Sequence, residues 1–150
     1  MPRSRLDPLD VPTAEHYVVE VAVRWSDQDA LSHVNHAVVV ELMAEARMLW
    51  LARDAVAAGY EDFLRAKMVV SMSIDYSAPV EYGTPLSVGM SVSRIGDKSY
   101  TLRHVGIQGD QTCFSGTVVL VPRDAESGRA RAVTDEERAY LERFLIASSE

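Results

Sequence analysis

The chain has 150 residues, of which 47% are hydrophobic, and a formal net charge of −7. The length fits one domain, residues 1–150, and the composition is that of a globular protein rather than a disordered one. The negative charge argues against nucleic acid as the main partner, because phosphate binding needs a concentrated basic face. No apolar run is long enough to span a bilayer, so no membrane association is expected. The single cysteine, Cys113, excludes an intrachain disulfide and favours a reducing, cytoplasmic location.

The chain begins with a proline-containing segment and a first strand. Met1 to about His16 has little periodicity, so we expect an extended arm, and it lacks the apolar stretch of a secretory signal. From Tyr17 to Trp25, every second residue is a valine or an aromatic residue. This pattern predicts a half-buried strand whose buried face includes both Tyr17 and Trp25.

A polar segment and a long apolar helix follow. The thirteen residues from Arg24 to His36, RWSDQDALSHVNH, contain two aspartates, two histidines and an asparagine. The next stretch, Ala37 to about Ala58, is rich in Ala, Leu, Met and Glu and predicts a helix, for which Gly59 is a suitable C-terminal cap. Apolar residues cover most of the circumference of this helix, so we expect it to be enclosed.

The remaining chain predicts four more strands and a second helix. Gly-Asp pairs at 96–97 and 109–110 separate the last three strands and indicate two hairpins. Thr134 and Glu137 form a capping box for a C-terminal helix that is predicted to end near Ile146. The four strands are predicted at 68–76, 86–92, 100–108 and 114–120.

This order of elements predicts an α+β fold with helix and sheet segregated. One long apolar helix against about five antiparallel strands suggests a sheet wrapped around that helix, with the C-terminal helix added to it. The edge strands of such a sheet need cover, and pairing with a second copy of the chain is a common solution. We therefore expect a homo-oligomer.

The polar segment could form a site because it ends at the start of the long helix. Free backbone N–H groups at a helix start, together with the helix dipole, bind negative charge. The same groups stabilise an oxyanion that develops on a carbonyl. Asp29 lies just upstream, where its carboxylate could act as a nucleophile or as a general base for water.

Structural interpretations of the same segment compete with this one. Asp27, Asp29 and Asn35 are good turn and capping residues, and Asn35 could be simply the N-cap of the helix. His33 and His36 could be two metal ligands, but no clear third ligand accompanies them and no metal is predicted. A triad of Ser32, His33 and Asp29 is disfavoured, because neighbours in sequence rarely have triad geometry.

Other polar residues have structural explanations as well. Glu41, Glu45 and Arg47 could form a catalytic cluster, but such residues more often satisfy one another at the edge of a buried helix. Cys113 is expected to be a small buried residue in a strand. Core positions on the long helix are expected at Met43, Met48 and Trp50.

The chain contains a recognisable series of short motifs. An aromatic strand end is followed by Asp-x-Asp, then by His-Val-Asn, and then by Glu-Ala-Arg on a long helix. This set resembles the hotdog-fold acyl-CoA thioesterases, and in particular their 4-hydroxybenzoyl-CoA thioesterase-like branch. The resemblance covers most of the chain. Its pieces stand at 24–29, 33–35 and 45–47, with a strand exit at 74–76, Pro79 and Gly83, inside a region from about Val18 to Pro122.

The resemblance implies roles for individual residues. The second aspartate of the pair is the catalytic carboxylate in this family, and it corresponds to Asp29. The backbone N–H that polarises the thioester carbonyl comes from the first turn of the central helix, near His36. Substrate-binding positions are implied at His33, Val34, Asn35 and Tyr76.

The resemblance also implies an acyl-CoA substrate, no cofactor, and homodimers or homotetramers with sites at the subunit interface. Ser32 stands where many relatives have glycine, and His36 where many have asparagine or an aromatic residue, so loop geometry or acyl specificity could differ. Arg94, Lys98 or Arg103 could contact the phosphates of coenzyme A.

Two other functions stay open on the sequence alone. One is a non-catalytic hotdog protein that binds acyl-CoA, and the other is a hotdog enoyl-CoA hydratase or dehydratase. The chain lacks the His-Gly-Gly pattern of the branch that carries its acid on the central helix, which argues against Glu41 or Glu45 as the catalytic acid.

Overall fold

The computed structural model describes residues 16–146. Apart from His16, the predicted N-terminal arm lies outside the described residues. Within them, five antiparallel strands form one sheet in the order β1-β3-β4-β5-β2. The strands are β1 Tyr17–Val21, β2 Lys67–Tyr76, β3 Leu86–Ile95, β4 Tyr100–Gln108 and β5 Gln111–Pro122. The helices are α1 His36–Arg47, which continues as π-helical turns over Met48–Ala55, and α2 Asp135–Glu142.

The core lies between α1 and the inner face of the sheet. The helix buries Val39, Leu42, Met43 and Ala46 against the strands. A side chain at Gly116 on β5 would place its Cβ only 2.9 Å from the Met43 Cε atom, so the glycine allows the helix to pack directly on the sheet. The predicted α+β architecture with one long helix is confirmed.

Aromatic side chains fill the far end of the long helix. The Trp50 ring stacks on Tyr17, with centroids 5.6 Å apart, and meets Phe144 edge-on at 5.2 Å. The Trp50 Nε1–H donates a 3.0 Å hydrogen bond to the Tyr140 hydroxyl, so its polar atom is satisfied in the core. We call this group the aromatic cluster, and its members are Tyr17, Trp50, Tyr60, Phe63, Tyr140 and Phe144.

The first strand is shorter than predicted. It ends at Val21, and Trp25 begins a single 3-10 turn with 70% of its surface exposed. The expectation that Trp25 lies on the buried face was therefore wrong. The chain turns here because the Asp27 carboxylate accepts hydrogen bonds from both the backbone N–H and the side chain of Arg24.

The central helix begins one residue earlier than predicted and is less enclosed. Asn35 is its N-cap, and Gly59 ends the helical region with a φ of +104°. Trp50 and Met43 are fully buried as expected, but Met48 is 56% exposed. The helix therefore leaves one side, which includes Met48, uncovered by the sheet of its own chain.

The second strand contains an irregularity that the alternation pattern does not reveal. Its pairing with β5 shifts between Val69 and Ser71, so Val70 bulges out of the ladder. Met68 precedes this bulge and Met72 follows it, so the two fall on opposite faces although the alternation assigned them to one face.

Caps and turns are found where the sequence predicted them. The hairpins at 96–97 and 109–110 join β3 to β4 and β4 to β5. The capping box of Thr134 and Glu137 starts α2. This helix ends at Glu142, earlier than predicted, because the chain then runs beside β3, where the Val92 N–H donates to the Phe144 carbonyl.

Candidate active site

The polar segment is fixed mainly by its backbone. Asp27 is only 3% exposed, and its carboxylate accepts from the Arg24 N–H at 2.8 Å and from the Arg24 guanidinium at 2.9 Å. Burial opposes the charged form, but these hydrogen bonds lower the pKa of Asp27 below its ordinary value. Its carbonyl also accepts from the Asn35 N–H at 3.2 Å, which ties the loop to the helix start. Asp27 is thus a structural anchor.

Asp29 is placed differently from Asp27. Its side chain is exposed, and its Oδ1 atom accepts a 2.9 Å hydrogen bond from the Leu31 N–H. Its backbone is held by a 2.8 Å bond from its N–H to the His33 carbonyl and a 3.0 Å bond from Ser32 to its own carbonyl. The carboxylate is therefore oriented by a tight turn while Oδ2 has no hydrogen-bond partner among residues 16–146.

Ser32 gives this turn its shape. Its φ of +62° lies in the left-handed region, and it is the one non-glycine residue of the described chain with a positive φ. Side chains with a Cβ cost about 1–2 kcal/mol in this conformation. The position therefore suits glycine, the residue that the resemblance implies for many relatives.

The helix start presents one free backbone donor. The Asn35 side chain accepts from the Ala37 N–H at 2.9 Å, and the Asn35 carbonyl accepts from the N–H groups of Val38 and Val39. The His36 N–H, at the first position of α1, has no acceptor within the described part of the chain. It is thus the donor that the capping arrangement leaves available for a ligand.

A cavity of about 430 Å³ opens at this point. Tyr76 closes one side of it, because its hydroxyl donates a 2.8 Å hydrogen bond to the His36 carbonyl and its ring meets the His36 ring edge-on at 6.4 Å. The remaining wall comes from the chain that follows β2. The lining residues are Asp29, His33, Val34, His36, Val39, Tyr76, Ser77, Ala78, Pro79 and Val80.

Most of the residues singled out in the sequence meet at this cavity. Asp29, His33, Val34, His36 and Tyr76 line it, and the neighbouring Asn35 caps the helix beside it. Sequence reasoning missed the segment 77–80, whose Val80 carbonyl accepts a 2.9 Å hydrogen bond from the Val34 N–H. Pro79, which belongs to the strand exit of the resemblance, was the one signal in the sequence that pointed to this segment.

Three residues of the central helix could have formed a catalytic cluster, but none of them lines the cavity at the start of α1. They are Glu41, Glu45 and Arg47. Glu41 and Glu45 are exposed and line a separate cavity with the Arg24–Asp27 ion pair. Arg47 does not pair with them, so the expectation that these three residues satisfy one another was wrong. Its Nη1 atom lies 3.4 Å from Nε2 of the buried His104 instead.

Within residues 16–146, no group of three or more His, Cys, Asp and Glu side chains is arranged to hold a metal ion. In the same part of the chain, no helix is both long and apolar enough to cross a membrane. Cys113 is buried, as predicted.

Comparison of this chain with known protein families identifies the family to which it belongs. The model of the thioesterase-like superfamily matches residues 23–141, which include the polar segment, α1 and the whole of β2 to β5. The chain belongs to the thioesterase-like superfamily. The arrangement of one long helix and a five-stranded antiparallel sheet is accordingly the hotdog fold of thioesterases.

Individual relatives agree with this assignment. The chain is 30% identical over 140 residues to the Bacillus subtilis protein YsmA, with 89% of this chain and 93% of that protein aligned. A structure of a thioesterase superfamily protein from Jannaschia sp. CCS1 is 25% identical, covers 91% of this chain and 96% of its own, and has a TM-score of 0.82. A thioesterase from Thermus thermophilus, solved with coenzyme A and zinc, is 28% identical, covers 85% and 92%, and has a TM-score of 0.70.

Proposed function

We propose that this thioesterase-like protein hydrolyses an acyl-CoA thioester to the free acid and coenzyme A. One observation carries the proposal: the exposed Asp29 carboxylate and the start of α1, where the His36 N–H has no protein acceptor in the described chain, open into the same cavity. Attack on a carbonyl needs a base or nucleophile, which the carboxylate provides, and a donor that stabilises the oxyanion, which the backbone N–H provides.

In this proposal the thioester carbonyl oxygen accepts a hydrogen bond from the His36 N–H. The helix dipole adds to the stabilisation of the oxyanion that forms there. Asp29 either attacks the carbonyl carbon, giving an anhydride that water then opens, or removes a proton from the attacking water. The carbon–sulfur bond breaks and the thiolate leaves. Because a thiol has a pKa of about 8.5, the thiolate leaves without a strong general acid.

The neighbouring residues hold these two groups in place. Asn35 caps the helix and leaves the His36 N–H as the free donor. Tyr76 fixes the His36 carbonyl and forms part of the cavity wall, to which Val34 and the exposed His33 also contribute. We assign His33, Val34, Asn35 and Tyr76 to substrate binding and positioning rather than to bond making.

Coenzyme A as the leaving group is supported by the related Thermus thermophilus thioesterase, which was solved in complex with coenzyme A. We place the enzyme in the cytoplasm, where acyl-CoA thioesters are made and where a single buried cysteine such as Cys113 stays reduced.

We further propose that two copies pair through β2, as homodimers that can assemble into tetramers. This strand is at the edge of the sheet, and among residues 16–146 no strand pairs with its outer side. Met68 and Val70 on it are about half exposed, which is unusual for apolar residues on an unprotected edge. Sedimentation should give the mass of a dimer or tetramer for the wild type and a smaller mass for Val70→Lys. A wild type that sediments as a monomer would contradict the pairing.

The experiment that tests the activity is thiol release from a panel of acyl-CoA substrates. We expect turnover by the wild type and a loss of about 100-fold or more in kcat for Asp29→Asn, in which an amide keeps the bond from Leu31 but cannot act as base or nucleophile. Asp97→Asn, in the exposed hairpin after β3, is the matched control and should retain full activity. Full turnover by Asp29→Asn would exclude this mechanism.

The same panel distinguishes the other two functions. A binding protein would take up acyl-CoA saturably without releasing thiol from any member of the panel. A hydratase or dehydratase would change the absorbance of an enoyl-CoA without releasing coenzyme A.

A further inference from the structure

A second cavity, of about 170 Å³, lies between the second half of the central helix and the start of β2. Its wall is apolar except for two cationic side chains, Arg47 from the helix and Lys67 from the strand. The remaining lining residues are Ala44, Met48, Leu51, Ala52, Val69 and Leu120. A cavity with cations at an apolar wall is a site for an anion that carries an apolar body.

Arg47 has no carboxylate partner in residues 16–146. Its Nη1 atom lies 3.4 Å from Nε2 of His104, which is fully buried. Burial, together with the charge of Arg47, lowers the pKa of His104 to about 3, so this imidazole is neutral and accepts from the guanidinium without adding a charge. Burial also lowers the pKa of Arg47 itself, because removal from water disfavours the charged guanidinium.

Lys67 is in a similar position. Its ammonium donates a 2.6 Å hydrogen bond to the Phe63 carbonyl, and burial lowers its pKa, with a partial offset from Glu137. The Glu137 oxygens are already bound by the Arg131 guanidinium at 2.7 and 3.1 Å, and by the Thr134 N–H at 2.9 Å. The buried Glu137 carboxylate therefore stands against three cations, which are Arg131, Lys67 and Arg47.

The Tyr100 hydroxyl adds a buried donor to this region. It is fully buried and has no hydrogen-bond partner in the described chain. Tyr100 pairs with Leu120 of β5, and Leu120 lines this cavity, so the hydroxyl belongs to a residue next to the cavity wall. Unpaired buried polar groups are costly.

Between this cavity and the active site lies the inner face of β2, which is apolar and partly open to solvent, and we call this face the groove. On β2, Val69, Met72 and Ile74 pair with Leu120, Val118 and Gly116 of β5, which lie on the core side of the sheet. The three β2 residues therefore face α1, yet Met72 is 38% exposed because nothing in the described chain covers it.

The two ends of the groove are marked by contacts of β2. Tyr76 meets the His36 carbonyl at the catalytic end, and Lys67 stands at the other end of the same strand. Along the helix, His36 and Arg47 are separated by eleven residues, or about 16 Å.

We propose that the groove holds the acyl chain of the substrate and that Arg47 and Lys67 bind a carboxylate at its far end. The substrate class is then the CoA monothioester of a linear dicarboxylic acid. This inference rests on the proposed function, because it takes the thioester to lie at the His36 end of the groove. A carboxylate fits the site because a guanidinium binds it through two parallel hydrogen bonds, and because its charge balances two cations that form no ion pair within residues 16–146.

The test compares two CoA thioesters with the same number of acyl carbons, one ending in a carboxylate and one in a methyl group. The wild type should hydrolyse the carboxylate-ended substrate with a kcat/KM at least about 10-fold higher, the range expected for a hydrogen bond to a charged group. Lys67→Met should reduce this ratio by about 10-fold. Arg129→Met, which removes an exposed cation that lines neither cavity, should leave the ratio unchanged.

A calorimetric measurement separates this inference from the proposed activity. Asp29→Asn should bind the carboxylate-ended thioester at least about 10-fold more tightly than the methyl-ended one, even though it does not turn them over. Equal affinity for the two thioesters, or a preference that survives Lys67→Met, would overturn the carboxylate site while leaving thioester hydrolysis intact. Tight binding of the carboxylate-ended thioester without hydrolysis by the wild type would overturn the activity and leave the site intact.

Discussion

The two ends of the central helix are built in different ways. At its start, an exposed Asp29, a left-handed Ser32 and the Asn35 cap surround an open cavity, and backbone hydrogen bonds hold most of the geometry. At its far end, Trp50 is fully buried in the aromatic cluster, and Phe144 from the C-terminal segment packs against it.

Because of this difference, one end of the central helix contributes mainly to stability and the other end to the proposed chemistry. Apolar burial supplies most of the folding free energy, so the aromatic end anchors the helix. The open end contributes little burial and can expose a carboxylate and a free N–H to a ligand. Substitutions at the aromatic end should therefore change stability and leave the chemistry of folded molecules intact, and substitutions at the open end should do the reverse.

The largest effect is expected at Trp50. Trp50→Ala removes a buried ring and its hydrogen bond to Tyr140, so the free energy of unfolding should fall by about 3–5 kcal/mol. Denaturant titration measures this loss, and kcat per folded molecule should be unchanged. Trp25→Ala, at an exposed tryptophan, is the control and should stay within about 0.5 kcal/mol of the wild type. Equal losses of unfolding free energy in the two variants would show that the aromatic end does not anchor the helix.

The next effect concerns pH and the buried His104. In the unfolded chain this histidine binds a proton near pH 6.5, whereas in the folded chain its pKa of about 3 keeps it neutral. Between these values the unfolded state holds more protons, so stability should fall by about 1 kcal/mol for each unit of decreasing pH. His104→Gln should show a shallower slope in denaturant titrations between pH 6 and 4. Identical slopes would mean that His104 takes up a proton in the folded protein.

A smaller effect is expected at Tyr76, at the open end. Tyr76→Phe removes the hydroxyl that holds the His36 carbonyl, and one such hydrogen bond corresponds to about a 5-fold change in kcat. Because the ring stays in place, KM and the thermal midpoint should change little. A variant that loses stability but not kcat would show that Tyr76 supports the fold rather than the site.

The smallest effect is expected at Ser32. Ser32→Gly relieves the left-handed strain but gives the unfolded chain more freedom, so the protein should be stabilised by less than about 1 kcal/mol. Ser32→Val should be destabilised by about 1–2 kcal/mol or more, because a branched side chain tolerates this conformation poorly. Thermal unfolding of the two variants checks the order. The opposite order would mean that the turn relaxes when Ser32 is replaced.

Local signals were enough to predict the order of the elements and several of their caps and turns. Asn35, Gly59 and the capping box at Thr134 each act through neighbouring backbone groups, so the sequence specifies them directly. The hairpins after β3 and β4 are local in the same sense. The polar segment could be recognised as a site because it stands at a predicted strand-to-helix junction.

Features that depend on distant residues could not be predicted. The contact of Arg47 with His104 joins positions 57 residues apart, and the Tyr76 hydroxyl reaches the His36 carbonyl across 40 residues. The bulge at Val70 changes which side chains face the helix without disturbing the alternation of the sequence. Each of these is set by packing, for which a single sequence has no local signal.

The central claim is that the backbone N–H of His36 binds the thioester carbonyl, and one pair of variants tests it most directly. Proline is well tolerated at the first position of a helix, and the backbone of Asn35, with φ −58° and ψ 139°, suits a residue that precedes proline. His36→Pro therefore removes the N–H without breaking α1. His36→Ala removes the side chain and keeps the N–H. We predict that kcat for thiol release falls about 100-fold or more in His36→Pro and stays near the wild-type value in His36→Ala. Equal activity of the two folded variants would contradict this claim.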